Sequence, residues 1–239
     1  MPRPDGRKND ELRTIKITPR PLRKADGSVL IETGFTKVIC TASIEEGVPP
    51  FLKGGKSGWL TAEYGMLPCS ANTRIARERA KVSGRTSEIQ RIIGRALRRI
   101  CDLSLIPERT ILIDCDVIEA DGGTRTASIS GAFLALCYAV EKMKKENSIE
   151  KRIIRNYAAA TSVGIVKGEL VLDLSYDEDR GADVDMNIVM TDEDRFIEIQ
   201  GTGEESTFSE DDLKSLLMLA KHGINQIFQA QKEIFPELP

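Results

Sequence analysis

Two runs near the start of the chain, Ser28 to Thr33 and Lys37 to Ile44, are rich in β-branched and apolar residues and meet at Gly34, which predicts a β-hairpin. A second hairpin is expected from Ala158 to Val166 and Glu169 to Leu174 around Lys167-Gly168, and a further strand from Val184 to Met190. Along that strand Asp183, Asp185 and Asn187 alternate with Val184, Met186 and Ile188, so polar groups share one face and apolar groups the other. Between the hairpins, Thr110-Ile-Leu-Ile-Asp-Cys-Asp-Val-Ile118 reads as a strand and Ser130-Gly-Ala-Phe-Leu-Ala-Leu-Cys-Tyr-Ala-Val140 as a helix buried on all sides.

Two amphipathic helices complete the pattern. Ile89, Ile92, Ile93, Ala96, Leu97 and Ile100 recur at helical spacing, with Arg91, Arg95 and Arg98 on the opposite side facing outward. Thr86 or Ser87 caps this helix, Gln90 completes a capping box from Ser87, and Arg85 lies just ahead of it. The last helix follows Ser209, whose cap leads into the acidic turn Glu210-Asp211-Asp212 and the stripe Leu213, Leu216, Leu217, Ala220, Ile224 and Ile227 or Phe228. A basic arm precedes the first hairpin, and the stretches Lys53 to Gly58 and Ala62 to Pro68 read as connections without regular structure. Each half offers a hairpin, a connection and a helix, and no linker separates them. The expectation is an α+β chain, one domain over residues 1–239 built from two similar halves that meet near residues 105–150.

Composition narrows the functional classes. A 41% hydrophobic content over 239 residues supports a substantial core. The N-terminus is polar and no apolar window approaches the length of a membrane span, so a soluble, non-exported protein without a membrane partner is expected. Five cysteines, Cys40, Cys69, Cys101, Cys115 and Cys137, form no C-x-x-C pair, and their odd number fits a reducing cytoplasm better than a disulfide framework. The single histidine, His222, falls in the last helix and reads as a surface residue, which removes histidine triads and H-E-x-x-H zinc sites from consideration.

A net charge of −3 conceals a strong sorting of charge along the chain. From Arg74 to Arg99 nine cations stand against two anions, whereas from Asp173 to Asp185 six anions stand against one cation. A basic region suits a phosphate backbone, and a carboxylate cluster suits Mg²⁺ or proton transfer. The candidate RNA contacts are Arg74, Arg77, Arg91, Arg95 and Arg98, and Asp179 and Asp185 are expected to converge from a loop and a strand. Like charges so placed repel unless a cation or proton is shared.

The segment Asp121-Gly-Gly-Thr-Arg-Thr-Ala-Ser128 joins the predicted central strand to the buried helix. Glycines admit an anion close to the backbone, the helix start offers unpaired N–H groups, and Arg125 adds a forked cation, so Gly123, Thr124 and Arg125, with Arg85, are the candidate phosphate site. Lys53-Gly-Gly-Lys-Ser-Gly58 lacks the G-x-x-x-x-G-K-[ST] order of a nucleoside triphosphatase loop.

Taken in order, Arg3-Pro-Asp-Gly-Arg7, Thr41-Ala-Ser-Ile-Glu-Glu-Gly-Val48, Thr61-Ala-Glu-Tyr-Gly-Met-Leu-Pro68, Gly84-Arg-Thr86, Glu88-Ile-Gln-Arg91, Asp114-Cys-Asp116, Asp121 to Ser128 and Asp185-Met-Asn187 resemble the ribonuclease PH family across the whole chain. That resemblance implies a ribosomal protein S5 domain 2-like fold with mixed sheets flanked by helices. It also implies a phosphorolytic 3′–5′ exoribonuclease and nucleotidyltransferase acting on transfer RNA precursors, with ribosomal RNA as a further substrate. Inorganic phosphate would be the co-substrate and nucleoside diphosphates the products. By the same resemblance Arg85 and Gly123-Thr124-Arg125 hold phosphate, Asp179 and Asp185 are the catalytic carboxylates, and six subunits assemble as a trimer of dimers; Asp185 either protonates the departing 3′ oxygen or positions Mg²⁺ there, with Asp179 helping to anchor that ion. Cys69 replaces the family's usual arginine and the connection from Glu78 to Gly84 is short, which bears on RNA contacts rather than on the chemistry. Two alternatives stand beside this reading: a hydrolytic metal-dependent exonuclease, which gives Gly123 to Arg125 no task, and a non-catalytic RNA-binding ring subunit, which does not need both aspartates.

Overall fold

The computed structural model describes residues 3–55, 57–78, 81–149, 151–204 and 206–239. Its strands are β1 (Ile15–Pro19), β2 (Gly27–Thr33), β3 (Thr36–Glu46), β4 (Trp59–Met66), β5 (Arg109–Glu119), β6 (Ala158–Val166), β7 (Glu169–Leu172), β8 (Val184–Thr191) and β9 (Phe196–Gly203). Its α-helices are α1 (Gly84–Ile100), α2 (Thr124–Lys145), α3 (Tyr176–Arg180) and α4 (Glu210–Ile234).

Two sheets organise the chain. The first runs β1-β2-β3-β5-β4 and is mixed, because β4 lies parallel to β5 and the other pairs are antiparallel. The second runs β7-β6-β8-β9 and is antiparallel throughout. Both hairpins form where expected. The stretch Ala62 to Pro68 does not behave as a connection: Trp59–Met66 is a strand. Its inward positions Leu60, Ala62 and Tyr64 are buried against the core, but alanine and glycine dilute the alternation that would have announced it. Parallel pairing with β5, reached through α1, supplies what the local pattern lacks.

Helix α2 packs on β2, β3 and β5 of the first sheet and on β6 of the second, which explains why it is apolar on every face. Phe133, Leu134 and Ile129 are almost wholly enclosed, and each such side chain contributes roughly 1.5–3 kcal/mol of burial free energy. Close approach to the first sheet depends on Gly131, where an added Cβ would lie 2.7 Å from Cys40 Sγ and from Ile31. Gln231 of α4 is fully buried and donates to the carbonyls of Ala158, at 2.9 Å, and Ser130, at 3.3 Å, tying the last helix to β6 and α2.

Helix α1 starts earlier than its sequence suggests. Ser83 is the cap, its hydroxyl accepting from the Thr86 N–H at 3.2 Å, so Arg85 sits within the first turn rather than ahead of it and the Ser87–Gln90 box does not form. The aliphatic stripe from Ile89 to Ile100 is buried as expected. Ser209 caps α4 with a reciprocal bond from Asp212, and His222 is exposed there. Among the described residues no helix is long and apolar enough to cross a membrane.

Candidate active site

A cleft of about 1220 Å³ opens between the two sheets, and its lining includes Arg85, Gly123, Thr124, Arg125, Asp179 and Asp185 together with Tyr64, Arg77, Tyr176, Asn187 and Glu204. One wall is cationic. The starts of α1 and α2 both face it, and α2 begins without a side-chain cap, so its first N–H groups are free for an anion. The backbone that leads there is unusual: Gly122 and Gly123 take φ of 75° and 64°, left-handed values that side chains oppose. A Cβ on Gly122 would also lie 2.5 Å from the Leu174 carbonyl. Thr36, fully buried, secures the turn by donating to the Gly122 carbonyl at 2.6 Å and accepting from the Asp121 N–H at 2.9 Å.

Arg125 is aimed by a chain of polar side chains. Its Nη1 donates to Gln200 Oε1 at 2.5 Å, and Gln200 Nε2 in turn donates to Glu88 of α1. Tyr64 and Thr124 share a hydroxyl–hydroxyl bond of 2.9 Å, which joins β4 to the first turn of α2. Burial pushes the Tyr64 phenol up despite nearby Arg85 and Arg125, so Tyr64 is a neutral support here. Arg85 is exposed, and among the described residues no carboxylate pairs with it.

The opposite wall is acidic. Asp185 lies on β8, between β6 and β9, so the polar face of this strand points into the cleft rather than off a sheet edge. Asp179 comes from α3, a single helical turn that the sequence did not announce. Burial, then repulsion from Asp179, pushes the Asp185 carboxyl up to about 6, with Arg125 opposing the shift. Asp179 is open to water but walled by the cleft, and desolvation raises its carboxyl as well, against the pull of Arg125 and Arg85. Asn187 Nδ2 lies 3.4 Å from Asp185 Oδ2, the one side-chain hydrogen bond to this carboxyl among the described residues.

The candidate RNA arginines divide. Arg77 reaches the cleft rim beside Asp116, whose carboxyl is raised by burial and lowered by this arginine. Arg74 and Arg91 are exposed outside the cleft lining. Arg95 and Arg98 are half-buried and already engaged: Arg95 pairs with Glu198 of β9 at 2.9 Å, and Arg98 stacks 4.9 Å from the Trp59 ring centre while donating to the Leu60 carbonyl. The expectation that α1 presents all three arginines outward therefore needs correction, because strands packed beside the helix capture two of them.

The same arrangement of elements recurs in known proteins. Models of the 3′ exoribonuclease family match residues 11–140 with its domain 1 and residues 156–223 with its domain 2. Ribonuclease PH of Bacillus velezensis is 58% identical over 238 residues, covering 98% of this chain and 97% of that protein. Ribonuclease PH of Bacillus subtilis is 56% identical over 243 residues, covering 99% of each. The chain belongs to the ribonuclease PH family. Solved structures with the same fold include rice Rrp46 (TM-score 0.79, 21% identity, covering 96% of this chain and 98% of that one). Another is the Archaeoglobus fulgidus exosome with RNA bound to its active site (TM-score 0.81, 23% identity, 95% and 92%).

In this ribonuclease PH family member the acidic segment is less free than its charge implies. Asp173 and Glu178 are buried partners of Arg13 and Arg3, and of this segment's carboxylates Asp179 and Asp185 line the cleft. Sequence reasoning counted Asp173 and Glu178 only as members of the anionic run, met Arg3 only within its motif and did not single out Arg13. That motif was the only signal for Arg3. Gln200 left none, since β9 was not foreseen.

Proposed function

We propose that the cleft performs phosphorolysis of RNA 3′ ends, and the observation that carries this is the facing of a two-arginine helix-start wall against a protonatable aspartate pair. Inorganic phosphate sits on the first turn of α2, held by Arg85, Arg125 and the Gly123-Thr124 backbone. One phosphate oxygen attacks the last phosphodiester phosphorus, and the bond from phosphorus to the 3′ oxygen of the preceding nucleotide breaks. The terminal nucleotide leaves as a nucleoside diphosphate. Two guanidinium groups offset the repulsion between the two phosphates and hold the attack in line.

Asp185 supplies the proton that the departing 3′ oxygen needs, because a carboxyl at about 6 retains a protonated fraction close to neutral pH. Desolvation raises Asp179 as well, while Arg125 and Arg85 favour its charged form. Among the described residues no group of three or more His, Cys, Asp or Glu is placed to enclose a metal. Mg²⁺ fits nonetheless, since it is commonly held by one or two carboxylates completed by substrate phosphates and water. Asp179 would hold it, joined by Asp185 once that carboxyl has given up its proton, and it would neutralise charge developing on the leaving oxygen. Hydrolysis is disfavoured as a reading because it leaves the cationic wall without a ligand, and a purely RNA-binding role leaves the mutual repulsion of the aspartates without a purpose.

Arg77, Arg74 and Arg91 then guide the RNA backbone, while Arg95 and Arg98 brace the face of α1 from which Arg91 projects. The half-exposed ring of Tyr176 in the cleft offers a stacking surface that suits any base. The substrate class is the 3′ ends of transfer RNA precursors, with ribosomal RNA ends a second, in the cytoplasm. The assembly in this reading is a homo-hexamer, a trimer of dimers, and large apolar side chains left on the surface, among them Phe51, Phe196, Ile199 and Met218, suit contacts between copies without fixing their number. Running the reaction backwards tests the chemistry: supplied with nucleoside diphosphates, the protein should lengthen an RNA 3′ end and release phosphate. Shortening alone under those conditions would overturn phosphorolysis.

A further inference from the structure

Arg3 of the N-terminal motif Arg3-Pro-Asp-Gly-Arg7 and the nearby Arg13 take no part in the chemistry above, yet both are enclosed in a buried polar network. Arg3 is 6% exposed and grips Glu178 with two bonds, Nε to Oε1 at 2.7 Å and Nη2 to Oε2 at 2.8 Å. It also donates to the carbonyls of Leu172, at 2.8 Å, and Asp173, at 3.0 Å. Glu178 further accepts from the Ser175 N–H and hydroxyl, closing the capping box of α3. Burial alone would push the Glu178 carboxyl up, but the bonds from Arg3 and Ser175 hold it below its ordinary value, so the pair stays charged.

Arg13, 5% exposed, grips Asp173 through Nε at 3.0 Å, Nη2 at 2.7 Å and its own backbone N–H at 2.8 Å. The same guanidinium donates to the carbonyls of Asp121 and, at 3.4 Å, Gly122. It therefore touches both the strand end of the second sheet and the glycine turn that opens α2. A buried ion pair is costly unless its remaining hydrogen bonds are satisfied, and here the backbone carbonyls satisfy them.

We propose that these arginines are positioning residues that set the two walls of the cleft in register. Arg13 fixes the Gly122-Gly123 turn and so places the phosphate cradle. Arg3 fixes α3 through Glu178 and so places Asp179, the next residue in the chain. The inference rests on the phosphorolytic reading of the site. It makes the arm part of the catalytic geometry although none of its atoms reaches substrate.

Two conservative substitutions separate this from a purely structural role. Lysine keeps the charge but not the fork, so it loosens alignment while retaining attraction. In the full chain, Arg3→Lys is expected to lower kcat about 10-fold and leave the phosphate KM within about 2-fold, while Arg13→Lys is expected to raise the phosphate KM about 10-fold, since misplacement by an ångström costs on the order of 100-fold. Each is assayed well below its own Tm. Loss of activity that merely follows the loss of folded protein, with identical KM and kcat signatures in the two variants, would overturn the proposal. Should Arg13→Lys fail to fold, Arg3→Lys decides alone: an unchanged kcat overturns it. Absence of phosphate-dependent cleavage in the unaltered chain is a separate outcome, which overturns the reading of the site and this proposal with it.

Discussion

The two walls of the cleft are built by different means. The centre of the cationic wall is local: Gly122 to Arg125 are consecutive, and the strand, turn and helix that present them form one continuous stretch of chain, to which α1 adds Arg85. The acidic wall is assembled from a distance, since Asp185 depends on the strand order of the second sheet and Asp179 on a short helix clamped by Arg3, 175 residues before its partner Glu178. A wall encoded by neighbours keeps its residues together by chain order, although Arg13, Thr36 and Gln200 still set its geometry from a distance. A wall encoded by distant contacts moves when any of them loosens.

The largest expected effect removes the acidic wall's chemistry. Asp185→Asn should lower kcat by about 10²–10⁴-fold with little change in the phosphate KM, because general acid–base groups contribute on that scale. An equal rise in phosphate KM would show that the walls are not separable. Next, Arg125→Ala should raise the phosphate KM by about 10²-fold, the scale of removing one charge-stabilising donor, while RNA affinity changes little. Steady-state titration of phosphate and of RNA in turn reads both.

A stability measurement sharpens the comparison without turnover. The Asp185 carboxyl stands at about 6 in the folded chain against 3.8 ordinarily, so the folded state holds this proton more tightly. The stabilisation is therefore full below about pH 4 and is lost as pH rises through about 6. In EDTA, Asp185→Asn should stabilise the protein at pH 8 by up to about 3 kcal/mol, and that gain should vanish near pH 4. A gain independent of pH would mean that the acidic wall carries no such strain. The smallest effect concerns the rim: Arg91→Ala should weaken RNA binding about 2- to 3-fold and reduce its salt slope by about one, with phosphate dependence untouched.

The same contrast explains what was legible in the sequence. Asp121 to Ser128 could be read because turn, helix start and arginine are adjacent, and both hairpins announced themselves by composition and glycine turns. Strand β4 could not, since Ala62 and Gly65 weaken its pattern and its pairing with β5 is long-range. The outward arginines of α1 were misjudged in part because Trp59 and Glu198 belong to other strands. Asp173 and Glu178 looked like free members of an anionic cluster, and only the folded arm shows them neutralised. Periodicity reports which face is apolar, not which charge already has a partner.

The most direct test of the account is to incubate the protein with a 3′-extended transfer RNA and Mg²⁺, with and without inorganic phosphate, and to identify the released nucleotide. Nucleoside diphosphates released only when phosphate is present are the expected result. Nucleoside monophosphates released without phosphate would contradict it, making water the nucleophile and leaving Arg85 and Arg125 without the ligand assigned to them.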